Sequence, residues 1–285
     1  MNSLIHLIFA VMLLSGVASG RTVRDEFGRD MKVPDHPHRL ICLAPSITDT
    51  VYALGAGADI VGITDYTKYP PEAKQKPSVG GVINPSLERI VALKPDLVLA
   101  IGDLNSLDLV SSIERLGFTV FVVHPHGIEG IYRSIESIGR AINEDAKASA
   151  LVARLRVRER IVRERVAGKA KPTVFFLVWS DPIMTAGRGA FITELIEIAG
   201  GKSISDDLPH EWPQMSSEAV LFRQPEYLVL TRESNVDLAQ LQRQSWWKKL
   251  RAAQDGKIIY ADDRIIYPSP IAFDALEDLA KQLHP

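Results

Sequence analysis

The chain has 285 residues, of which 46% are apolar and 24% are charged, and its formal net charge is −2. This is the composition of an ordinary globular protein that is long enough to form two modest domains. Binding to nucleic acid requires a concentrated basic surface, and a chain this close to neutrality offers no electrostatic basis for one. We therefore expect no nucleic-acid partner.

The first twenty residues have the pattern of a secretory signal peptide. Residues 4–14 are nearly all apolar, and small residues follow as far as Gly20. The apolar run is too short to predict a membrane span. No cysteine stands at the predicted cleavage point, so we predict secretion without a lipid anchor. The only cysteine, Cys42, lies inside an apolar run and is predicted to be a buried thiol.

Strands alternate with helices after a short hairpin that has Gly28 in its turn. Apolar runs at residues 40–44, 60–63, 97–100 and 119–123 read as buried strands with helical segments between them. Such alternation implies parallel strands joined by crossover connections. Ligands of open parallel sheets bind beyond the carboxyl ends of the strands, so the loops at these ends are predicted to line a site.

A helix–turn–strand pattern in residues 85–100 returns in residues 215–230. Glu88 stands seven residues before a proline, and Glu218 stands seven residues before another. Each proline ends its helix and is followed by an acidic residue and an apolar strand. A second resemblance, in the same order, joins residues 48–55 to residues 193–200. Two repeated units predict two related lobes.

A long helical segment separates the two sets of repeats. Residues 143–167 contain no glycine or proline, and the segment exceeds a typical globular helix. We predict a signal peptide (1–20), an N-terminal lobe (21–142), a connecting helix (143–169) and a C-terminal lobe (170–285). The fold class is α/β, with two Rossmann-like lobes that have parallel central sheets and are joined by one long α-helix. A long packing helix within one domain is the alternative.

Aromatic residues cluster on the loops that should converge at the strand ends. They are Tyr66, Tyr69, Trp179, Trp212 and Tyr267. Aromatic side chains offer large, rigid contact areas, which suits a large and partly apolar small molecule. Ordinary packing is the alternative for any one of them, and it is our interpretation of Trp246 and Trp247, which lie on a predicted helix.

Histidines on the predicted loops raise the question of a metal site. Their spacing matches no compact metal-binding motif, and the chain has no GxSxG nucleophile motif. We predict no metal site, no cofactor and no enzymatic activity. A metal-dependent enzyme that uses His124, His210 and Asp263 is the alternative from a different functional class.

Four stretches resemble the cobalamin-binding periplasmic proteins of ABC importers, and the resemblance covers essentially the whole mature chain. They are residues 40–49, 65–71, 80–88 and 212–218. The wider group also contains siderophore and haem receptors. The resemblance implies a monomeric periplasmic protein that holds a corrinoid between its lobes. It also implies delivery of that ligand to an ABC transporter permease in the inner membrane.

The resemblance also assigns roles to individual residues. Tyr66, Trp179 and Trp212 would contact the corrinoid, and Asp263 matches a further ligand-binding position. Glu88 and Glu218 match two glutamates that dock onto arginines of the permease, an arrangement that gives orientation and speed of association.

One departure concerns a tryptophan that some members carry before the Glu88 motif, where this chain has residues 80–82, Gly-Gly-Val. The loss of that aromatic wall leaves a ferric-siderophore or haem receptor as the alternative within the group. An anionic siderophore would favour cationic side chains in the site, for which Arg188 and Arg264 are the obvious candidates.

Overall fold

A computed structural model describes residues 20–232, 236 and 238–285. The predicted signal peptide lies outside this part of the chain except for Gly20, which begins the first strand. Among the described helices, none combines the length and the apolar character that crossing a membrane would require.

The first half folds around a four-stranded parallel sheet. Its elements in chain order are β1 (Gly20–Arg24), β2 (Asp30–Pro34), β3 (Leu40–Cys42), α1 (Pro45–Ala53), β4 (Ile60–Gly62), α2 (Leu87–Leu93), β5 (Leu97–Ile101), α3 (Leu107–Arg115), β6 (Val120–Val123) and α4 (Gly127–Ile142). The sheet has the order β4-β3-β5-β6, and all of its pairings are parallel. Strands β1 and β2 form the predicted antiparallel hairpin, with Gly28 in the left-handed region at φ 76°.

The second half repeats this plan with one antiparallel addition. Its elements are α5 (Asp145–Val166), β7 (Thr173–Ser180), β8 (Ile183–Thr185), α6 (Phe191–Ile198), β9 (Lys202–Ser203), α7 (Ser217–Arg223), β10 (Tyr227–Thr231), α8 (Leu238–Arg243), α9 (Arg251–Gln254), β11 (Ile258–Ala261) and α10 (Ala272–Leu283). The main sheet has the order β11-β10-β7-β8, and β9 pairs with β7. Only β8 runs antiparallel to its described neighbour. The predicted fold class is confirmed, while the lobe boundaries stay a prediction.

The repeated helix–turn–strand unit is confirmed down to its helix caps. Ser86 accepts a hydrogen bond from the Arg89 N–H at the start of α2, and Ser216 accepts one from Ala219 at the start of α7. Each helix ends on a residue in the left-handed conformation, Lys94 at φ 45° or Gln224 at φ 40°. Because the residue after each of these is a proline, the helix cannot continue.

Local predictions fail where a neighbouring strand decides the conformation. Helix α1 begins at Pro45 and has no side-chain cap. Trp179 lies within β7 instead of on a loop, because pairing with β8 extends that strand. The stretch around Trp246 and Trp247 is divided between a 3₁₀ turn and α9, although both rings are buried as predicted.

The helices of both lobes share one apolar core. A single cluster of buried side chains runs from the inner face of the first sheet through α1, α4, α5, α6 and α10 to the second sheet. Cys42 belongs to this cluster, and burial raises the pKa of its thiol to about 12. The outer face of each sheet has a smaller core of its own. The lobes are therefore packed on one another and are not merely tethered by α5.

Helix α5 is fixed to both halves. The ring of Tyr132 on α4 lies under the Arg156 guanidinium, 4.3 Å away, and donates a hydrogen bond to Glu159. The same ring stacks on Phe273 of α10 with centroids 5.6 Å apart. Arg158 forms ion pairs with Asp274 and Glu277 of α10. These contacts give the long helix a defined position against both lobes.

Each lobe places one carboxylate against the N-terminus of a helix in the other lobe. Asp49 on α1 accepts a hydrogen bond of 3.1 Å from the N–H of Ile271, the residue that precedes α10. Glu194 on α6 accepts one of 2.8 Å from the N–H of Ile128 in the first turn of α4. A helix N-terminus has unsatisfied N–H groups and a partial positive charge, so both contacts are favourable. Asp49 and Glu194 are equivalent positions of the second sequence repeat.

Burial disfavours the charged form of both acids. It raises the pKa of Asp49 and of Glu194 above their ordinary values, and the backbone hydrogen bonds offset this only in part. Gly127, at φ 62°, permits the close approach of Glu194, because a Cβ there would collide with the carboxylate. The lobes therefore meet through two desolvated acids, each of which depends on a helix of the opposite lobe.

We predict that Asp49→Ala lowers the free energy of unfolding by about 1–3 kcal/mol, because the buried N–H of Ile271 loses its acceptor. Glu194→Ala should have a smaller effect in the same direction, because Glu194 is less buried. The matched control is Glu197→Ala, which removes an exposed glutamate from the same helix α6. Urea unfolding followed by circular dichroism measures the differences. Equal stability of the Asp49 and Glu197 variants would contradict the proposed contact.

The double variant Asp49→Asn, Glu194→Gln should have a flatter dependence of stability on pH. Because the folded-state pKa values of both acids are raised, their contribution to the free energy of unfolding is fully present below their ordinary pKa values. It is lost as the pH rises through the folded-state values. The difference between wild type and variant, measured by urea unfolding from pH 4 to pH 7, isolates this effect. A difference that does not vary with pH would show that neither acid titrates abnormally.

Candidate functional site

The loops at the carboxyl ends of the two sheets face each other and touch at both ends. At one end Tyr69, which follows β4, meets Tyr267, which follows β11, with ring centroids 6.1 Å apart. At the other end His126, which follows β6, lies 2.5 Å from Glu211, which precedes the segment beside β8. Edge strands of one sheet thus face edge strands of the other. We call the space between these two rows of loops the interlobe cleft.

The N-terminal wall of the cleft presents Tyr66, whose ring is 65% exposed. Tyr66 stands at the tip of a turn closed by the Thr67 N–H, which donates to the Thr64 carbonyl. The backbone of Asp65 is anchored to Gly80 by a further hydrogen bond of 2.9 Å. The ring is therefore exposed on a backbone that is held in place.

The C-terminal wall presents both predicted tryptophans. Trp179, near the end of β7, is 39% exposed, and its indole N–H donates to the Asp181 carbonyl at 2.7 Å. Trp212 is 41% exposed and lies edge-on to the ring of Phe191. The segment that follows Trp212 continues the sheet beyond β8. The Thr185 N–H donates to the Pro213 carbonyl, and the Met215 N–H donates to the Ile183 carbonyl. The sheet thus carries both indoles on its carboxyl side.

Asp263 lies at the tyrosine end of the cleft. It begins a 3₁₀ turn directly after β11. With Tyr69, Tyr260 and residues of α10 it lines a cavity of about 340 Å³. Neither tryptophan lines this cavity. The structure therefore groups Asp263 with tyrosines at this end of the cleft, and its role in ligand binding stays a prediction.

Sequence analysis missed two exposed aliphatic residues on the N-terminal wall. Ile83 is 72% exposed, and Leu104, in the loop after β5, is 46% exposed. The Asn105 side chain joins their loops, since its amide donates to the Val82 carbonyl at 2.7 Å. Ile83 follows the glycines that replace the tryptophan of some similar proteins. Singly exposed apolar residues are common on protein surfaces, so no signal in the sequence distinguishes these two.

The two candidate cations do not form a free anion-binding pair. Arg264 is held between Asp262 at 2.5 Å and Asp274 at 2.7 Å, and the hydrogen bond to Asp262 is the largest effect that raises its pKa. The guanidinium of Arg188 donates to the backbone carbonyls of Asp206 and Asp207. Both side chains already have acceptors within the protein, and two carboxylates balance the charge of Arg264.

The two repeat glutamates are both exposed in the first turn of a short helix, Glu88 on α2 and Glu218 on α7. Hydrogen bonding to its own backbone N–H is the largest effect that lowers the pKa of Glu218, so that carboxylate is charged at neutral pH. Each has an exposed apolar residue nearby on its helix, Val91 at 41% and Phe222 at 91%. The two lobes therefore display similar pairs of a carboxylate and an apolar side chain.

The residues of the alternative enzyme hypothesis do not form one site. In the part of the chain that the structure describes, His124 is grouped with Asp103 and His126 as potential metal ligands, and neither His210 nor Asp263 joins them. His210 is exposed on the loop before Glu211. The three residues of that hypothesis are therefore not a catalytic cluster.

Two α/β lobes that face each other across an aromatic cleft and share a long helix define a solute-binding protein, which holds a small molecule between its lobes. Comparison with known proteins agrees. The chain belongs to the family described as periplasmic binding protein, which matches residues 40–265. Proteins of this family bind small molecules and work with ABC transporter permeases. The chain is accordingly a transport protein and not an enzyme.

Three relatives illustrate the similarity. The uncharacterized ABC transporter substrate-binding lipoprotein YvrC of Bacillus subtilis is 29% identical over 93% of this chain and 85% of its own length. A vitamin B12-binding protein of Photorhabdus laumondii is 29% identical over 87% of this chain and 88% of its own. The crystal structure of the periplasmic vitamin B12 binding protein BtuF of Vibrio cholerae has a TM-score of 0.74 at 27% identity. It covers 87% of this chain and 96% of that one. The predicted family is confirmed.

Proposed function

We propose that the protein captures a corrinoid of the cobalamin type in the interlobe cleft and delivers it to an ABC transporter permease. The observation that carries this proposal is the exposure of three aromatic side chains, Tyr66, Trp179 and Trp212, on segments at the carboxyl ends of the two sheets. Exposed aromatic faces of this size fit a broad, flat and partly apolar ligand. Relatives that bind vitamin B12 support the same ligand class.

The aliphatic and charged residues of the cleft favour a corrinoid over an anionic siderophore. Ile83 and Leu104 extend the apolar surface of the N-terminal wall. A ferric siderophore that carries net negative charge would need cations to face it, whereas Arg264 is neutralised by two carboxylates. The cleft thus recognises its ligand mainly through apolar and aromatic contact.

Delivery to the permease would use the exposed glutamates of the two lobes. Glu88 and Glu218 occupy equivalent positions in the sequence repeat, one in each lobe. Two separated charges orient an approaching partner better than one does. Phe222, beside Glu218, adds an apolar contact at the same surface. The protein would act as a monomer in the periplasm, after removal of its signal peptide.

Purified protein should bind cyanocobalamin with 1:1 stoichiometry, and Trp179→Ala or Trp212→Ala should weaken binding by about 10–100-fold, because buried aromatic contacts dominate binding energy. Isothermal titration calorimetry gives the affinity. Phe222→Ala is the matched control, since it removes an exposed aromatic residue that lies outside the cleft. Absence of cyanocobalamin binding at micromolar concentration, or tight binding of haemin in its place, would overturn the ligand assignment.

Glu88→Ala and Glu218→Ala should each weaken binding to the permease on the order of tenfold and leave cyanocobalamin affinity unchanged, because both carboxylates lie outside the cleft. Binding to the cognate permease in nanodiscs, measured by surface plasmon resonance at two salt concentrations, provides the test. Glu164→Ala, an exposed glutamate of α5, is the control. Loss of corrinoid affinity in either variant would count against a docking role.

A further inference from the structure

A cluster of imidazole and carboxylate groups lies at the end of the cleft where β5 and β6 finish. Asp103, His124 and His126 each offer one potential ligand atom, and these atoms lie within 4.8 Å of one another. Of the residues that the structure describes, no others form such a group of three. Between 30% and 43% of each side chain is exposed, so an ion could reach the cluster from solvent.

A neighbouring carboxylate determines which ring nitrogen of His126 carries a proton. Glu211 Oε1 lies 2.5 Å from His126 Nδ1. A carboxylate accepts hydrogen bonds, so this contact holds the proton on Nδ1 and leaves a lone pair on Nε2. The Nδ1 atom of His124 is buried and has no hydrogen-bond partner in the described part of the chain, although Asp103 Oδ1 lies 3.1 Å from it. An imidazole nitrogen and a carboxylate oxygen therefore lie close together without a hydrogen bond, as two ligands of one ion would.

We propose that this cluster binds a divalent transition-metal ion of the zinc class, with His124 Nδ1 and His126 Nε2 as nitrogen ligands and Asp103 Oδ1 as the oxygen ligand. Asp103 Oδ1 lies 3.9 Å from His126 Nε2. Two atoms that bind one ion at about 2.1 Å each can be no more than about 4.2 Å apart, so this separation fits a shared ion. Imidazole nitrogen selects zinc, nickel, cobalt or copper over magnesium and calcium.

The backbone around the cluster is held in place independently of any ion. Glu26 Oε2 accepts a hydrogen bond of 2.6 Å from the His124 N–H and another from Ser134. The lack of a side chain at Gly102 lets the Asp103 loop pass close to both Phe27 and His124. A Cβ at that position would lie 2.5 Å from the ring of Phe27. The ligand side chains thus stand on fixed supports, as a specific metal site requires.

The charges around the cluster favour a cation. Glu26, Asp103 and Glu211 place three carboxylates around the two imidazoles. The histidines also line a cavity of about 740 Å³, whose wall carries both Arg133 and Glu136 and so adds charges of opposite sign. The negative groups lie nearest to the imidazoles, where they attract a divalent ion most strongly.

Glu211 is a positioning residue that comes from the opposite lobe. It contacts His126 through Nδ1 and leaves Nε2 directed at the ion, which is the usual arrangement of a histidine ligand and its supporting carboxylate. The bound ion would therefore fix one end of the cleft, although its ligands come from the N-terminal lobe alone. None of the proposed ligands is Tyr66 or a tryptophan, and binding of the ion requires no corrinoid.

Titration of tag-free protein with Co²⁺ and Zn²⁺ tests the proposal without any corrinoid present. We expect one ion per chain, visible absorption bands of nitrogen-coordinated Co²⁺, and displacement of Co²⁺ by Zn²⁺. His124→Gln or His126→Gln should weaken binding by at least about 100-fold, and Glu211→Gln by about 10–100-fold. His38→Gln is the matched control, because His38 is an exposed histidine that lies 3.1 Å from a single carboxylate, Asp59.

Proton NMR of the wild-type imidazoles provides a second measurement that does not depend on the folding of any variant. Zn²⁺ at one equivalent should shift the ring signals of two histidines and leave those of His36, His38 and His210 in place. Absence of Co²⁺ and Zn²⁺ binding, or equal binding by the wild type and the His126→Gln variant, would overturn the proposal. In that case the contact between the two Nε2 atoms would be a hydrogen bond between two imidazoles and not part of a metal site.

Discussion

The packing of the two lobes depends on two carboxylates, each of which meets a helix N-terminus of the opposite lobe. Asp49 of the N-terminal lobe accepts a hydrogen bond from the backbone at the start of α10. Glu194 of the C-terminal lobe accepts one from the backbone at the start of α4. A desolvated carboxylate is costly unless it meets hydrogen-bond donors and a positive potential, and a helix N-terminus supplies both. Each acid finds its backbone donor at a helix of the opposite lobe. Each lobe therefore fixes the position of the other, and the common apolar core reinforces that position.

A fixed relation between the lobes has a direct consequence for recognition. The two rows of loops touch at both ends, so the width of the cleft is set before any ligand arrives. Domains that meet through a large apolar interface move less than domains joined by a flexible linker. A ligand that enters such a cleft loses its own freedom but requires little ordering of the protein, which favours affinity. The exposed aromatic walls can then act as preformed contact surfaces.

The two ends of the cleft differ in chemistry although the lobes are related by a repeat. One end is closed by a contact between tyrosine rings, whereas the other is closed by a histidine and a glutamate. The repeat itself covers only the elements that build and cap each lobe, because packing and backbone hydrogen bonds constrain those residues in both halves. Loops beyond the strand ends carry no such constraint, so they can differ in chemistry without altering the fold.

The sequence by itself determined the two-lobe α/β class, the long helix and the paired helix–turn–strand units. Apolar periodicity, prolines and serine caps act over a few residues, and tertiary contacts did not override them. The positions of Glu88 and Glu218 followed from the same local patterns. Only the tertiary structure decided which of these side chains meet. It placed Asp263 among tyrosines, extended β7 through Trp179, and brought Asp103 and Glu211 to the histidine pair. Those contacts join residues from different strands and different lobes, and they depend on how the lobes pack, which no local pattern encodes.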